Sequence, residues 1–339
     1  MPPTKVSTLV VKRQRLDWKA DVLPVAKEIV ESYDTAVTLR QLFYRLVSLK
    51  EGERGRIPNS HSMYCALAHN TAQARYEGRF PDLIDQGRKI TVPACWDSPR
   101  DAVEAVRDRY RRDRTEGQPY QIFLGTEKTG MVNLLSNWFA DMGLPIIALS
   151  GQCSKPYVDK ITRRVRADGR PAVLLYAGDH DPTGWSILQN FVDRTGCWMN
   201  HELPQWDTST MPEHLGRKRG HARAWSVIPN FDRYRKYRVA LTPEQCIEYD
   251  LARNAAKAKD PNLNNFLANF EHTLTDDEVD DGLGVQVEVD ALEPPLLRQL
   301  YTDAIDKYWD ADAYADALAQ EESDIDALEQ VLNKIGEPA

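Results

Sequence analysis

From residue 39 the apolar positions Leu39, Leu42, Phe43, Leu46 and Val47 recur at spacings of three and four. At about 100° per residue that puts them on one side of a helix. Thr38, directly before them, is suited to cap it. Similar patterns predict helices at about 17–33, in spite of Pro24, and at 60–76, with a polar, glycine-containing stretch over 50–58 between them. Turn residues and short apolar pieces follow. Three helices and a candidate β wing are the outline of a winged-helix unit.

After a charged helix at 98–114 the pattern changes to short apolar runs at 121–124, 145–149 and 172–176. These alternate with helices at about 130–142, 154–167 and 183–195, so the fold class is α/β with a mostly parallel sheet. Residues 200–224 are irregular and end on the basic run GRKRGHAR; further strands are expected at 225–229 and 238–241. Past residue 271 come an acidic loop, an apolar stretch at 285–289 and two amphipathic helices. The expected organisation is a winged-helix-like unit over 1–95, a charged helical linker over 96–118, a sheet domain over 119–270 and an acidic extension over 271–339.

The 339-residue length suits roughly two domains, and 42% hydrophobic with 28% charged residues is an ordinary water-soluble composition. No apolar run approaches the ~18–20 residues of a membrane span, and the first residues lack the apolar core of an export signal. Cys65, Cys95, Cys153, Cys197 and Cys246 are widely spaced with no C-x-x-C pair, which argues for a reducing compartment and against a zinc site. A cytoplasmic location is therefore expected. The net charge of −8 is unevenly spread: residues 271–339 hold 3 Lys and Arg against 20 Asp and Glu, while the first 270 residues carry a net +9. That part of the chain can offer phosphates a basic groove.

The sharpest local signal is Gly178-Asp179-His180-Asp181-Pro182-Thr183-Gly184, directly after the apolar run AVLLYA. Strands of a parallel sheet end at a common crevice, and two aspartates two residues apart there suit a hard divalent cation. The plainer reading is that Asp181 caps the following helix, with Pro182 in its first turn. A second element weighs against leaving it there. The run QIFLG ends in Thr126-Glu127-Lys128, about fifty residues earlier, so Glu127 also falls at a strand end.

A glutamate after one strand and a D-x-D followed by Pro-Thr-Gly after a later one resembles the TOPRIM domain of topoisomerases, primases and related nucleases. The resemblance covers residues 119–190 and implies a Rossmann-like sheet with Glu127, Asp179 and Asp181 as ligands of Mg2+, or of Mn2+ in its place. Lys128 and His180 are neighbouring candidates to touch phosphate. Upstream, Arg40 and Tyr44 fall together one turn apart, off the apolar stripe of their helix. By geometry alone this is a surface cation–aromatic pair or a tyrosine sealing the core edge. An Arg-x-x-aromatic-Tyr helix ahead of a TOPRIM domain nevertheless resembles the A subunit of type IIB topoisomerases and the related enzyme of meiotic double-strand breaks. Over residues 35–195 that likeness implies Tyr44 as the DNA-attacking nucleophile and Arg40 as its partner. It also implies a homodimer in which tyrosine and metal come from different protomers.

A phenol with a pKa of about 10 is protonated at neutral pH and needs help to attack phosphorus. The resemblance supplies that help as magnesium and Arg40. Nothing in the sequence resembles the ATPase subunit that drives strand passage, so such a subunit would be a separate partner. Three readings stay open: a DNA transesterase using Tyr44, with Arg40 and Glu127 as its other catalytic residues; a TOPRIM nuclease cutting DNA or RNA with water; and a non-catalytic DNA-binding regulator.

Overall fold

The computed structural model describes residues 16–85, 92–195, 238–282 and 284–335. Its first helix starts late because Pro24 has no N–H to give. Trp18–Val22 winds instead as a wider π turn, capped by Asp17, and α1 (Leu23–Glu31) continues from it. In α2 (Leu39–Val47) the expected cap is a reciprocal box: Gln41 N donates to Thr38 Oγ1 (3.2 Å) and Thr38 N donates to Gln41 Oε1 (2.9 Å). The stripe residues Leu42, Phe43, Leu46 and Val47 are buried against Ala26, Ile29 and Val30 of α1, and Leu67 and Ala74 of α3 (His61–Tyr76) belong to the same core. Each of the larger side chains contributes roughly 1.5–3 kcal/mol by leaving water. These helices form one compact unit, Met1–Ile84. Its extended pairing, among the described residues, is a single parallel bridge between Thr38 and Ile84.

The second unit, Asp85–Ala339, is built on a parallel sheet. After α4 (Pro99–Arg109) come β1 (Gln121–Thr126), α5 (Met131–Phe139), β2 (Ile146–Ala148), α6 (Lys155–Asp168), β3 (Ala172–Ala177), α7 (Pro182–Thr195) and β4 (Arg238–Ala240). The strand order is β2-β1-β3-β4, and each neighbouring pair is parallel. Every residue of β1 and β3 is buried, as befits strands covered on both faces. The strand expected at 225–229, and the basic run before it, lie outside the described residues.

Beyond the sheet the chain forms α8 (Pro243–Glu248), β5 (Asn254–Ala255), α9 (Leu263–Phe270), α10 (Asp276–Asp281) and β6 (Val285–Gln286), which pairs antiparallel with β5. The apolar stretch expected at 285–289 leaves the strand after two residues and turns into a 3-10 turn at Val289–Ala291. Then α11 (Pro294–Ile305) covers β3 and β4, and α12 (Ala311–Leu332) packs on α4. The charged helix expected to run to 114 stops at Arg109. Tyr110 is extended, and Arg112 and Arg114 instead bond Asp324 and Glu321 of α12. The segments read as linker and acidic extension thus belong to the same unit as the sheet. No helix among the described residues is long and apolar enough to cross a membrane.

Candidate functional site

The chain runs from β1 at the centre of the sheet out to β2, then crosses back to β3 on the other side of β1. The C-terminal ends of β1 and β3 therefore flank the point where the winding reverses, the place where parallel sheets open a crevice. Thr126 and Ala177 are in register, so the residues that follow them, Glu127 and Gly178, emerge side by side. Glu127 N donates to Ala177 O (2.9 Å), and Asp179 N donates to Glu127 Oε2 (3.0 Å). Backbone bonds tie down the D-x-D segment from both sides. Gly178 N donates to Ala240 O (2.7 Å) beyond β3, while His180 and Val287 exchange bonds of 2.9 and 3.1 Å.

Two glycines let these parts approach. A methyl group at Gly178 would lie 2.6 Å from the Tyr176 hydroxyl and 2.9 Å from Glu127 Oε2; one at Gly184 would lie 2.4 Å from Asp179 O. Only hydrogen fits at either place. This is the physical content of the glycines that bracket D-H-D-P-T.

Asp179 Oδ1 accepts from Val289 N (2.7 Å) and lies 3.1 Å from Lys128 Nζ. Asp181 Oδ1 accepts from Gly184 N (2.6 Å), so it does cap α7, with Pro182 as the first residue of that helix. Its carboxyl still sits in the cluster: burial, then the charge of Asp179, push its pKa up to about 6. Burial and the charges of Asp179 and Asp181 hold Glu127 well above the usual carboxylate range. Lys128, expected to face phosphate, has its ammonium among carboxylates. It bonds Glu288 and lies 3.0 Å from Asp290 Oδ2; against the cost of burial, Asp179, then Asp290 and Glu288, hold it protonated. His180 has a fully buried ring that accepts from Trp185 Nε1 (2.9 Å) and lies against Phe266 and Phe270, so it has no open face for a phosphate. Thr183 donates to Asp260 Oδ2 (2.6 Å).

Sequence reading missed four residues of this site. Glu288 and Asp290 alternate with buried Val287 and Val289 in V-E-V-D; that alternation was the available signal, but nothing in it pointed to a cluster 160 residues away from Lys128 in the chain. Burial, then Asp179, raise Glu288 to about 7. Arg238 opens β4 and is buried. Its Nη1 donates to the carbonyls of Gly178 (3.0 Å), Asp179 (3.0 Å) and Leu241 (2.9 Å), and its guanidinium lies 4.0 Å from the centre of the Trp185 ring. Tyr176, on β3, brings its hydroxyl to the same point at Gly178 that Glu127 Oε2 borders.

Five carboxylates (Glu127, Asp179, Asp181, Glu288 and Asp290) thus face two cations, Lys128 and Arg238. The donor set is all oxygen and carries a surplus of negative charge in a largely dry setting, which is the chemistry of a hard divalent ion. Among the described residues, no three acidic, imidazole or thiol side chains already converge as a metal cage. Three of the five, Asp179, Glu288 and Asp290, converge on the Lys128 ammonium.

Arg40 and Tyr44 lie in the other unit. Arg40 Nη2 donates to Tyr44 Oη (3.3 Å) and its guanidinium sits 5.5 Å from the ring centre. Arg40 is exposed; Tyr44 is half-buried, with its ring edge-on to Phe43. The pair has the one-turn spacing read from the helix. No protein-family model matches the chain, and no characterised protein matches it in sequence.

Proposed function

We propose that the chain is a divalent-cation-dependent DNA transesterase with a TOPRIM domain, similar to the A subunit of type IIB topoisomerases. The observation that carries this is the carboxylate cluster at the reversal point of the parallel sheet, where Glu127 after β1 meets Asp179 and Asp181 after β3. These three would hold magnesium, which when bound withdraws charge from a phosphodiester oxygen and from the departing 3′-oxygen. The fit is one of donor chemistry: hard oxygen ligands with unneutralised negative charge.

On this reading Met1–Ile84 is a winged-helix DNA-binding unit, and Tyr44 on α2 is the nucleophile. Its phenolic oxygen bonds phosphorus, the bond from phosphorus to the 3′-oxygen breaks, and the phenol proton leaves to solvent or to that oxygen. Arg40 already donates to the phenolic oxygen and would stabilise the charge developing there. One phosphodiester replaces another, so the step is reversible. The family likeness adds a homodimer and a separate ATPase subunit as a further partner, and the cysteine pattern adds cytoplasmic surroundings.

The test is to incubate the protein with supercoiled DNA and Mg2+ or Mn2+, quench with denaturant and assay for protein joined to 5′ ends. Wild type is expected to form such links; Tyr44→Phe, which loses one hydroxyl and about 1 kcal/mol at most, is expected to bind DNA without cutting it. Cutting by Tyr44→Phe at the wild-type rate would assign attack to water. No cutting by wild type with either metal would leave a DNA-binding role alone.

A further inference from the structure

The Lys128 ammonium is shared by three carboxylates: bonded to Glu288, 3.0 Å from Asp290 Oδ2 and 3.1 Å from Asp179 Oδ1. Glu288 stands just before the 3-10 turn Val289–Ala291 and Asp290 within it, and both buried acids reach the same ammonium. Asp179 Oδ1 also takes the Val289 N–H at 2.7 Å, so that oxygen is fully engaged by this arrangement. A second observation marks the same place as built for a ligand. The Tyr176 hydroxyl is completely buried, has no hydrogen-bond partner among the described residues, and borders the same point at Gly178 as Glu127 Oε2. A buried hydroxyl left unpaired is costly, and a carboxylate that shifts or a ligand that arrives can satisfy it.

Resting on the cation site proposed above, we propose that Lys128 is a resident counter-cation which competes with the divalent ion for Asp179, and that Glu288 and Asp290 are further residues of that site. Asp179, Glu288 and Asp290, clustered in a buried setting, would repel one another, and the ammonium they share offsets that repulsion in the metal-free protein. Lysine suits this role because its charge is a point on a flexible stem, able to withdraw without moving the backbone of β1. An ammonium and a divalent ion held together on Asp179 would repel each other strongly in a poorly screened setting. Binding of the metal therefore expels Lys128 and leaves Glu288 and Asp290 to face the incoming ion.

The experiment measures Mn2+ binding to the full chain by electron paramagnetic resonance of the free ion, for wild type, Lys128→Met and Lys128→Arg. Lys128→Met should bind Mn2+ at least about tenfold more tightly than wild type, the effect of removing one nearby charge. Lys128→Arg, which keeps the charge, should stay within about threefold of wild type. In parallel, acetylation of Lys128 in the wild-type protein, read by mass spectrometry, should be slow without metal and several times faster at saturating Mn2+. This second measurement decides the matter if Lys128→Met does not fold. Equal or weaker binding by Lys128→Met, tighter binding by Lys128→Arg, or unchanged acetylation while Mn2+ binds would overturn the lysine inference and leave the cation site standing. If none of the three proteins binds Mn2+, the cation site itself is wrong and the inference goes with it.

Discussion

Glu127 shows how much a single residue's role depends on what lies beside it. Its backbone N–H extends the pairing of β1 and β3, and its Oε2 accepts from Asp179 N. Burial, then Asp179 and Asp181, hold its carboxyl well above the ordinary value. In the metal-free protein it therefore tends to keep a proton that the unfolded chain would release. The folded state then binds more protons than the unfolded state above the ordinary carboxylate value, so metal-free stability falls as pH rises through that interval. Glu127→Gln mimics the protonated form and still offers an oxygen to Asp179 N. Its unfolding free energy at neutral pH should lie within ~1 kcal/mol of wild type, its decline toward higher pH should be shallower, and its Mn2+ binding should be lost. Denaturant titrations across pH, with and without the metal, read all three outcomes. Retention of wild-type Mn2+ affinity would remove Glu127 from the ligand set.

At the scale of elements, the pairing of α4 with α12 explains both the charged helix and the acidic extension. Glu321 accepts from Arg112 N (3.0 Å) and from Arg114 Nε (3.0 Å), while Asp324 accepts from Tyr110 Oη (2.7 Å) and Arg112 Nη1 (3.0 Å). At the far end Arg100 Nη1 donates to the carbonyls of Leu332 (3.3 Å) and Ile335 (3.1 Å), a cation closing the negative end of a helix. The bonds from Arg114 hold the Glu321 carboxyl below its ordinary value of 4.5. Here the unfolded chain is the better proton binder, so the contribution of Glu321 is full above that value and is lost as pH falls through it. Glu321→Gln should lower stability at neutral pH by on the order of 1–3 kcal/mol and should lose less than wild type between about pH 5 and pH 3. Parallel acid curves for the two proteins would show that this contact does not hold α12 in place.

At the scale of the whole molecule, the two candidate centres belong to different compact units: Tyr44 and Arg40 to Met1–Ile84, the carboxylates to Asp85–Ala339. That division separates the two chemistries. Hydrolysis by water needs only the second unit's site, whereas transesterification needs both. A protein of residues 85–339, with its own sheet and core, should bind Mn2+ as the full chain does and should leave supercoiled DNA uncut. Metal-dependent nicking by 85–339 would favour hydrolysis and make Tyr44 a structural residue.

The amino-acid sequence by itself determined the helix of Tyr44, its cap and its buried stripe, because these depend on neighbours three and four residues apart. It also determined the strand–helix alternation and placed Glu127, Asp179 and Asp181 at strand ends, since a six-residue apolar run followed by Gly-Asp carries its own period and stop. Only tertiary structure decided that Lys128 turns to Glu288 and Asp290 rather than outward, that Arg238 lies beneath the D-x-D peptide, and that His180 is enclosed by Trp185, Phe266 and Phe270. It likewise decided that the acidic last helix answers the arginines around residue 112. Apart from His180 with the nearby Trp185, each of these joins residues far apart in the chain, some of them more than 150 positions. Local periodicity says which side of an element is apolar, but the partner of a buried charge is chosen by the strand order and by the packing of other elements against it.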